Sequence, residues 1–104
     1  MKRFLIVSTL ALTLGAAAAQ AKPAATYVGQ NLAKTAKITL AQATKSALTA
    51  RPGKITDTEL EKEAGGSGLR YSFDITQAGV AYEVGIDAQT GKVLENAAEG
   101  KNPD

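Results

Sequence analysis

The clearest pattern in this sequence is the alternation of apolar and polar residues between positions 69 and 94. Tyr71, Phe73 and Ile75 alternate with polar residues, and the alternation resumes over 80–86 after a short interruption. A period of two residues predicts two strands of a sheet that buries one face. The residues predicted to face the core are Tyr71, Phe73, Ile75, Val80, Tyr82, Val84 and Ile86.

The loop at Ala78-Gly79 determines the register of this hairpin. A loop with an even number of residues places Phe73 opposite Val84, whereas a three-residue loop would turn the buried face outward. Gly79 suits the positive φ of a type I′ turn, but Ala78 does not. We therefore expect a four-residue loop over 77–80.

A helix is predicted to begin after Thr39. Thr39 and Gln42 have the spacing of a capping box, in which each side chain accepts a hydrogen bond from the backbone of the other. Pro52 and Gly53 predict the end of the helix. Small residues dominate its apolar stripe, so we expect the helix to lie close against the sheet. The stripe consists of Leu40, Ala43, Thr44 and Ala47.

Residues 54–64 alternate threonine with charged residues and predict an edge strand. The glycine-rich stretch 65–68 is the predicted loop to the hairpin. The simplest register places Leu60 opposite Phe73. The residues then predicted to face the core are Thr56, Thr58 and Leu60.

A tight turn is predicted over 87–91. The Asp87 carboxylate can accept a local backbone N–H, and Gly91 can adopt a positive φ after Thr90. A short strand over 92–94 closes the sheet, and residues 96–104 are predicted to form a flexible tail. These elements predict an α+β fold in which one helix packs on a small antiparallel sheet of three to four strands.

The first 21 residues have the features of a secretory signal peptide. A basic start precedes a mostly apolar run over 4–14, and Ala19-Gln20-Ala21 is a small-x-small cleavage site. The run is shorter than the roughly 20 residues of a membrane span. The chain has no cysteine for a lipid anchor. We expect cleavage after Ala21, no membrane anchor, and a periplasmic or secreted location in a bacterium.

The charge balance and the absence of two residue types exclude several classes of function. The chain has 12 basic and 10 acidic residues, so loss of Lys2 and Arg3 leaves a neutral protein, which disfavours nucleic-acid binding. Histidine and cysteine are absent, which removes the usual general base and the common nucleophile systems. We therefore expect no enzyme activity. Residues 22–37 are predicted to be a weakly structured leader that either packs over a sheet edge or serves as a linker.

This order of helix, edge strand, hairpin and D-A-x-T-G turn resembles the PepSY domain family. The matching segments are 38–43, 51–55, 60–61, 71–75 and 82–94, and we expect the domain to span 38–95. The resemblance implies a helix on a small antiparallel sheet and a domain without catalytic residues. Such domains occur in propeptides of secreted metallopeptidases and in small exported proteins, and are thought to inhibit or modulate peptidases.

The motif residues shared with the family are predicted to be structural. They are Thr39, Gln42, Pro52, Gly53, Tyr71, Phe73, Tyr82, Asp87, Thr90 and Gly91. Gly85 departs from the family pattern, which usually has a larger strand residue there. We expect a gap or a bulge at Gly85 on the outer face of the sheet.

Three carboxylates are predicted to align across the polar face of the sheet: Glu59, Asp74 and Glu83. Opposed like charges destabilise a sheet and raise one another's pKa. The simplest interpretation is a solvated face whose repulsion is screened. The alternatives are a weak calcium site and a docking face for a basic partner segment. A glycosidase is disfavoured because a flat sheet offers no cleft for a sugar.

The sequence thus predicts an exported, non-catalytic module that binds and modulates a peptidase, without cofactor. Addition of a partner strand at the edge formed by 54–63 is one mode of binding. The alternatives are a cation-responsive envelope protein that uses Glu59, Asp74 and Glu83, and a structural module that forms a homodimer.

Overall fold

The computed structural model describes residues 26–100. A 3₁₀ helix and one α-helix precede four strands: the 3₁₀ helix Gln30–Thr35, α1 Leu40–Ala50, β1 Lys54–Lys62, β2 Leu69–Gln77, β3 Val80–Asp87 and β4 Val93–Ala98. The strands form one antiparallel sheet in the order β1-β2-β3-β4, and α1 packs on one face. The predicted α+β class is confirmed. The predicted signal peptide lies outside the described residues.

The core lies between α1 and the hairpin of β2 and β3. Phe73, Ile75 and Val84 are fully buried, and Phe73 lies opposite Val84 as predicted. Ala43 and Ala47 of α1 are also fully buried, and their small size lets the helix approach the sheet. Two predicted core residues lie at its margin instead, because the hairpin extends past the helix: Val80 is exposed and Tyr82 is half-buried.

Both ends of α1 are held by side chains. Gln42 N donates to Thr39 Oγ1 at 3.1 Å and Thr39 N donates to Gln42 Oε1 at 2.9 Å, which is the predicted capping box. At the other end the Arg51 guanidinium lies 3.7 Å from the Tyr82 ring centroid. It also donates to Gln77 Oε1 at 2.9 Å. The helix is therefore joined to β2 and β3 at the end where it stops.

The hairpin loop has two residues, so the predicted four-residue loop is wrong. Ala78 and Gly79 have φ of 52° and 79°, and Gln77 pairs with Val80. A left-handed conformation costs a non-glycine residue about 1–2 kcal/mol. The turn is nevertheless formed because its twist matches the right-handed twist of the paired strands.

β1 pairs with β2 two residues away from the predicted register. Leu60 lies opposite Tyr71, and Glu59 lies opposite Ser72. A bulge at Thr56 adds one residue to β1, which turns the apolar Ile55 toward the core and leaves Thr56 exposed. The prediction that Thr56 faces the core was therefore wrong, because the bulge reverses the alternation at that point.

The segment before α1 packs over the edge of β1, which is the first of the two alternatives predicted for the leader. Val28 forms a parallel bridge with Glu59, and the Leu60 amide donates to the Val28 carbonyl at 2.9 Å. The 3₁₀ helix follows directly and contacts β1. The edge predicted to be exposed is therefore partly covered.

The turn after β3 is centred on a buried carboxylate. Asp87 is 2% exposed, and its oxygens accept from the Ser67 amide at 2.8 Å, the Ser67 hydroxyl at 2.7 Å and the Gln89 amide at 2.8 Å. The Ala88 carbonyl accepts from the Ile38 amide at 2.9 Å. Gly91 has the predicted positive φ, at 82°. This turn therefore connects β3 to the loop before β2 and to the start of α1.

The hairpin turn gives a stability prediction. Replacing Ala78 with asparagine, which tolerates a left-handed φ, should raise the free energy of unfolding by about 0.5–1 kcal/mol. Gly79→Ala is the matched control and should lower it by about 1 kcal/mol. Urea unfolding measures both changes. A loss of stability in Ala78→Asn would contradict the two-residue turn.

Candidate functional site

The outer face of the sheet, opposite α1, carries eight of the nine aspartates and glutamates between residues 26 and 100, and the ninth, Asp87, is buried in the turn after β3. This follows from the alternation, because residues that fill the core on one side leave their polar neighbours on the other. A groove of about 400 Å³ runs across this acidic face. Its lining residues are Asp57, Glu59, Glu61, Glu63, Ser72, Asp74, Glu83 and Glu95.

At the centre of the groove Asp74 lies between two carboxylates. Asp57 is opposite it on β1 and Glu83 is opposite it on β3. Carboxylate oxygens of Asp74, Glu83 and Glu99 all lie within 4.8 Å of one another. The structure thus brings together two members of the predicted row.

Glu59 is not directly opposite Asp74, so that part of the predicted row was wrong. The two-residue shift in register puts Asp57 at that position, while Glu59 lies one pair further along the groove.

Sequence reasoning missed Glu99 because residues 96–104 were predicted to be a flexible tail. β4 instead extends to Ala98, and the Glu99 amide donates to the Ala81 carbonyl at 2.9 Å. The signal was present in the sequence, because Glu95 and Glu99 are four residues apart and thus lie on the same side of a strand.

Partial burial and the crowding of carboxylates raise the pKa of two glutamates in the groove. Partial burial, followed by the charges of Glu95, Asp74 and Glu99, raises the pKa of Glu83 to about 7. Burial and neighbouring carboxylates also raise the pKa of Glu59. These directions mean that the charged form of the groove is disfavoured in the folded protein.

Arg70 neutralises part of the negative charge at one end of the acidic face. Arg70 Nη1 lies 3.3 Å from Glu95 Oε1 and 3.9 Å from Glu63 Oε2. Its side chain lies over Gly85, where an added Cβ would be 3.1 Å from Nη1. The space beside Gly85 is therefore filled by Arg70. Of the two predicted alternatives, a gap or a bulge, the structure has the bulge, because the pairing of β3 with β4 shifts in register between Gly85 and Ile86. Within residues 26–100, the ion pairs of the outer face are those of Arg70, so the cluster around Asp74 lacks a counter-charge there.

The predicted structural motif residues lie mainly outside this groove. Thr39 and Gln42 cap the helix, Tyr71 and Phe73 fill the core, and the Tyr71 hydroxyl donates to the Ile38 carbonyl at 2.9 Å. Gly53 lies so close to β2 that an added Cβ would overlap the Thr76 carbonyl. These residues build the framework that presents the acidic face.

Fold and site together define a small one-helix, four-stranded domain with an acidic outer face. The family model described as the peptidase propeptide and YPEB domain, PepSY, matches residues 37–96. The chain belongs to this family. Its domains are generally non-catalytic propeptide or regulatory modules, and they are typically extracellular or periplasmic.

Neither the curated proteins nor the solved structures gave a significant match to this chain. Between residues 26 and 100 no helix has the length and apolar character needed to cross a membrane.

The shifted pKa values of Glu83 and Asp87 should place the maximum of the free energy of unfolding at acidic pH. The raised pKa of Glu83, near 7 against 4.5 unfolded, means that stability falls as the pH rises from about 4.5 to 7. Burial alone would raise the pKa of Asp87, but its amide and hydroxyl donors outweigh burial and lower the pKa to about 2, against 3.8 in the unfolded chain. Stability therefore also falls as the pH drops below about 3.8. We expect a maximum between pH 4 and 5.

Urea unfolding from pH 3 to pH 8 measures this profile. Glu83→Gln should flatten the decline above pH 4.5, which we expect to be about 1 kcal/mol because solvent screens the repulsion. Asp87→Asn should remove most of the decline below pH 4 at the cost of lower stability throughout. Stability that rises from pH 5 to pH 7 in the parent chain would contradict this account.

Proposed function

We propose that this protein is an exported, non-catalytic regulator that binds a peptidase and inhibits it, and that the acidic outer face meets the peptidase. The observation that carries the proposal is the family match over residues 37–96, in a family of propeptide and regulatory domains. The chain contains neither histidine nor cysteine, which favours binding over catalysis as its role.

The charge distribution supports the choice of surface. Asp57, Asp74 and Glu83 lie opposite one another across the sheet, and like charges in such positions destabilise the free protein. Partial burial, followed by the charges of neighbouring carboxylates, raises the pKa of Glu83 accordingly. A partner with lysine or arginine side chains at the groove relieves that repulsion on binding. Lys34, Lys37 and Lys45 lie away from the outer face, on α1 and in the segment before it. A one-sided charge also orients the approach of a basic partner.

Inhibition assays against peptidases purified from the exported fraction test this proposal. We expect the full secreted chain to inhibit one of them, with an affinity that weakens about tenfold or more between 50 and 300 mM NaCl because added salt screens the charges. The variant Asp57→Asn, Asp74→Asn, Glu83→Gln should lose inhibition. These changes are nearly isosteric and remove repulsion, so the variant should stay folded.

The matched control neutralises three charges on the opposite side, in Lys34→Gln, Lys37→Gln, Lys45→Gln, and should inhibit as well as the parent chain. Inhibition that survives in the acidic-face variant would refute the choice of surface. Absence of binding to every exported peptidase, with the parent chain folded, would refute the proposed function.

A calcium site is the second candidate function, favoured by the proximity of three carboxylates. Asp74, Glu83 and Glu99 offer oxygens within 4.8 Å of one another, and hard cations take such ligands. Bound calcium also offsets the carboxylate charges that, together with partial burial, raise the pKa of Glu83. The protein would then be a cation-responsive component of the cell envelope.

Thermal unfolding with calcium and with chelator tests the second candidate. Calcium at a hundredfold excess over its dissociation constant should raise the free energy of unfolding by about 2–3 kcal/mol. Glu99→Gln should abolish the effect, whereas Glu59→Gln, outside the three-residue cluster, should largely preserve it. Equal melting temperatures in calcium and chelator would rule out this site.

A further inference from the structure

The edge of β1 is occupied by part of the same chain, which we call the strap (residues 26–36). The strap lies parallel to β1 at one bridge, between Val28 and Glu59. The Leu60 amide donates to the Val28 carbonyl at 2.9 Å. An edge strand presents unpaired backbone groups that readily pair with an extended segment. Here the strap satisfies one of those groups, the Leu60 amide, in the middle of β1.

Close approach of the strap depends on a glycine. Gly29 has a φ of 85°, and a Cβ built there would overlap the Leu60 carbonyl. An L-residue would therefore suffer both backbone strain and a clash at this position. The edge thus selects glycine one residue after the bridging residue.

The flanking side chains define the remaining features of the occupant. Val28 is 67% exposed, so the bridging position accepts many side chains. Tyr27, one residue earlier, is half-buried against the core. The edge therefore fits a segment that is extended over an aromatic residue and any second residue and then turns at a glycine.

The strap is held by side chains that are only partly buried, and those that pack against the core are Tyr27, Leu32, Ala33 and Ala36. The 3₁₀ helix Gln30–Thr35 has no fully buried residue. Beside the bridge, a groove of about 380 Å³ remains between the strap and the first half of β1. Segments whose apolar side chains are only partly buried can open at less than the global unfolding free energy.

We propose that the β1 edge is an acceptor site for a partner segment with an aromatic-x-glycine order, which pairs parallel to β1 and turns away at the glycine. The strap is its built-in, displaceable occupant. This inference goes beyond the proposed function, because it concerns the sheet edge and does not depend on the acidic face. Main-chain hydrogen bonds supply the affinity in such strand addition, and the side-chain positions supply the specificity.

A trans-complementation experiment tests the acceptor site. Gly29→Ala in the full chain should detach the strap, and a fluorescein-labelled peptide of residues 26–36 is then added. We expect the peptide to bind this variant at least about tenfold more tightly than the parent chain, whose own strap competes at an effective concentration near millimolar. Fluorescence anisotropy measures the binding.

Hydrogen exchange at the Leu60 amide reports the site of binding. Its protection should be lost in Gly29→Ala and restored by the peptide, while the amides between β2 and β3 keep theirs. The control peptide with alanine at the position of Gly29 should not bind. Equal peptide binding by the variant and the parent chain, with Leu60 protection lost in the variant, would overturn the proposal.

A second variant covers the case in which Gly29→Ala does not fold. Tyr27→Ala removes the half-buried aromatic side chain and leaves the edge backbone unchanged, so it should also increase peptide binding. Failure of the peptide to bind a folded Tyr27→Ala chain with an unprotected Leu60 amide would overturn the proposal equally.

Discussion

The pairing of β2 with β3 is the constraint on which the rest of the structure depends. Their register places Phe73 and Val84 together on the side of α1. The same register places Asp74 against Glu83 on the other side. Because side chains alternate strictly along a strand, the core and the acidic face cannot be formed independently. The apolar contacts that stabilise the domain therefore also hold like charges together.

Local signals in the sequence were enough to predict most of the framework. The capping box at Thr39 and Gln42, the alternation around Phe73, and the Asp87 turn each depend on residues a few positions apart. Such signals are readable without knowledge of the rest of the fold. The helix, the hairpin register and the α+β class were therefore predicted correctly.

The errors concern features decided by tertiary contacts. Ala78 has a left-handed φ, which alanine disfavours, because the twist of the strands favours a two-residue turn. The bulge at Thr56 forms where Ile55 packs against the core. An alternating sequence pattern gives no information about this contact. The position of Glu59 depends on the register between β1 and β2. The position of Glu99 depends on how far β4 extends. The candidate site was therefore predicted in kind, as opposed carboxylates, but not in its full membership.

The turn around Asp87 joins three parts of the chain that are distant in sequence. Its carboxylate holds Ser67 in the loop before β2, and the neighbouring Ala88 carbonyl holds the backbone at Ile38, where the helical layer begins. Opening of this one turn would release both segments together. The domain should consequently behave near this turn as a single cooperative unit, in which helix entry and sheet loop are lost in one step and not one after the other.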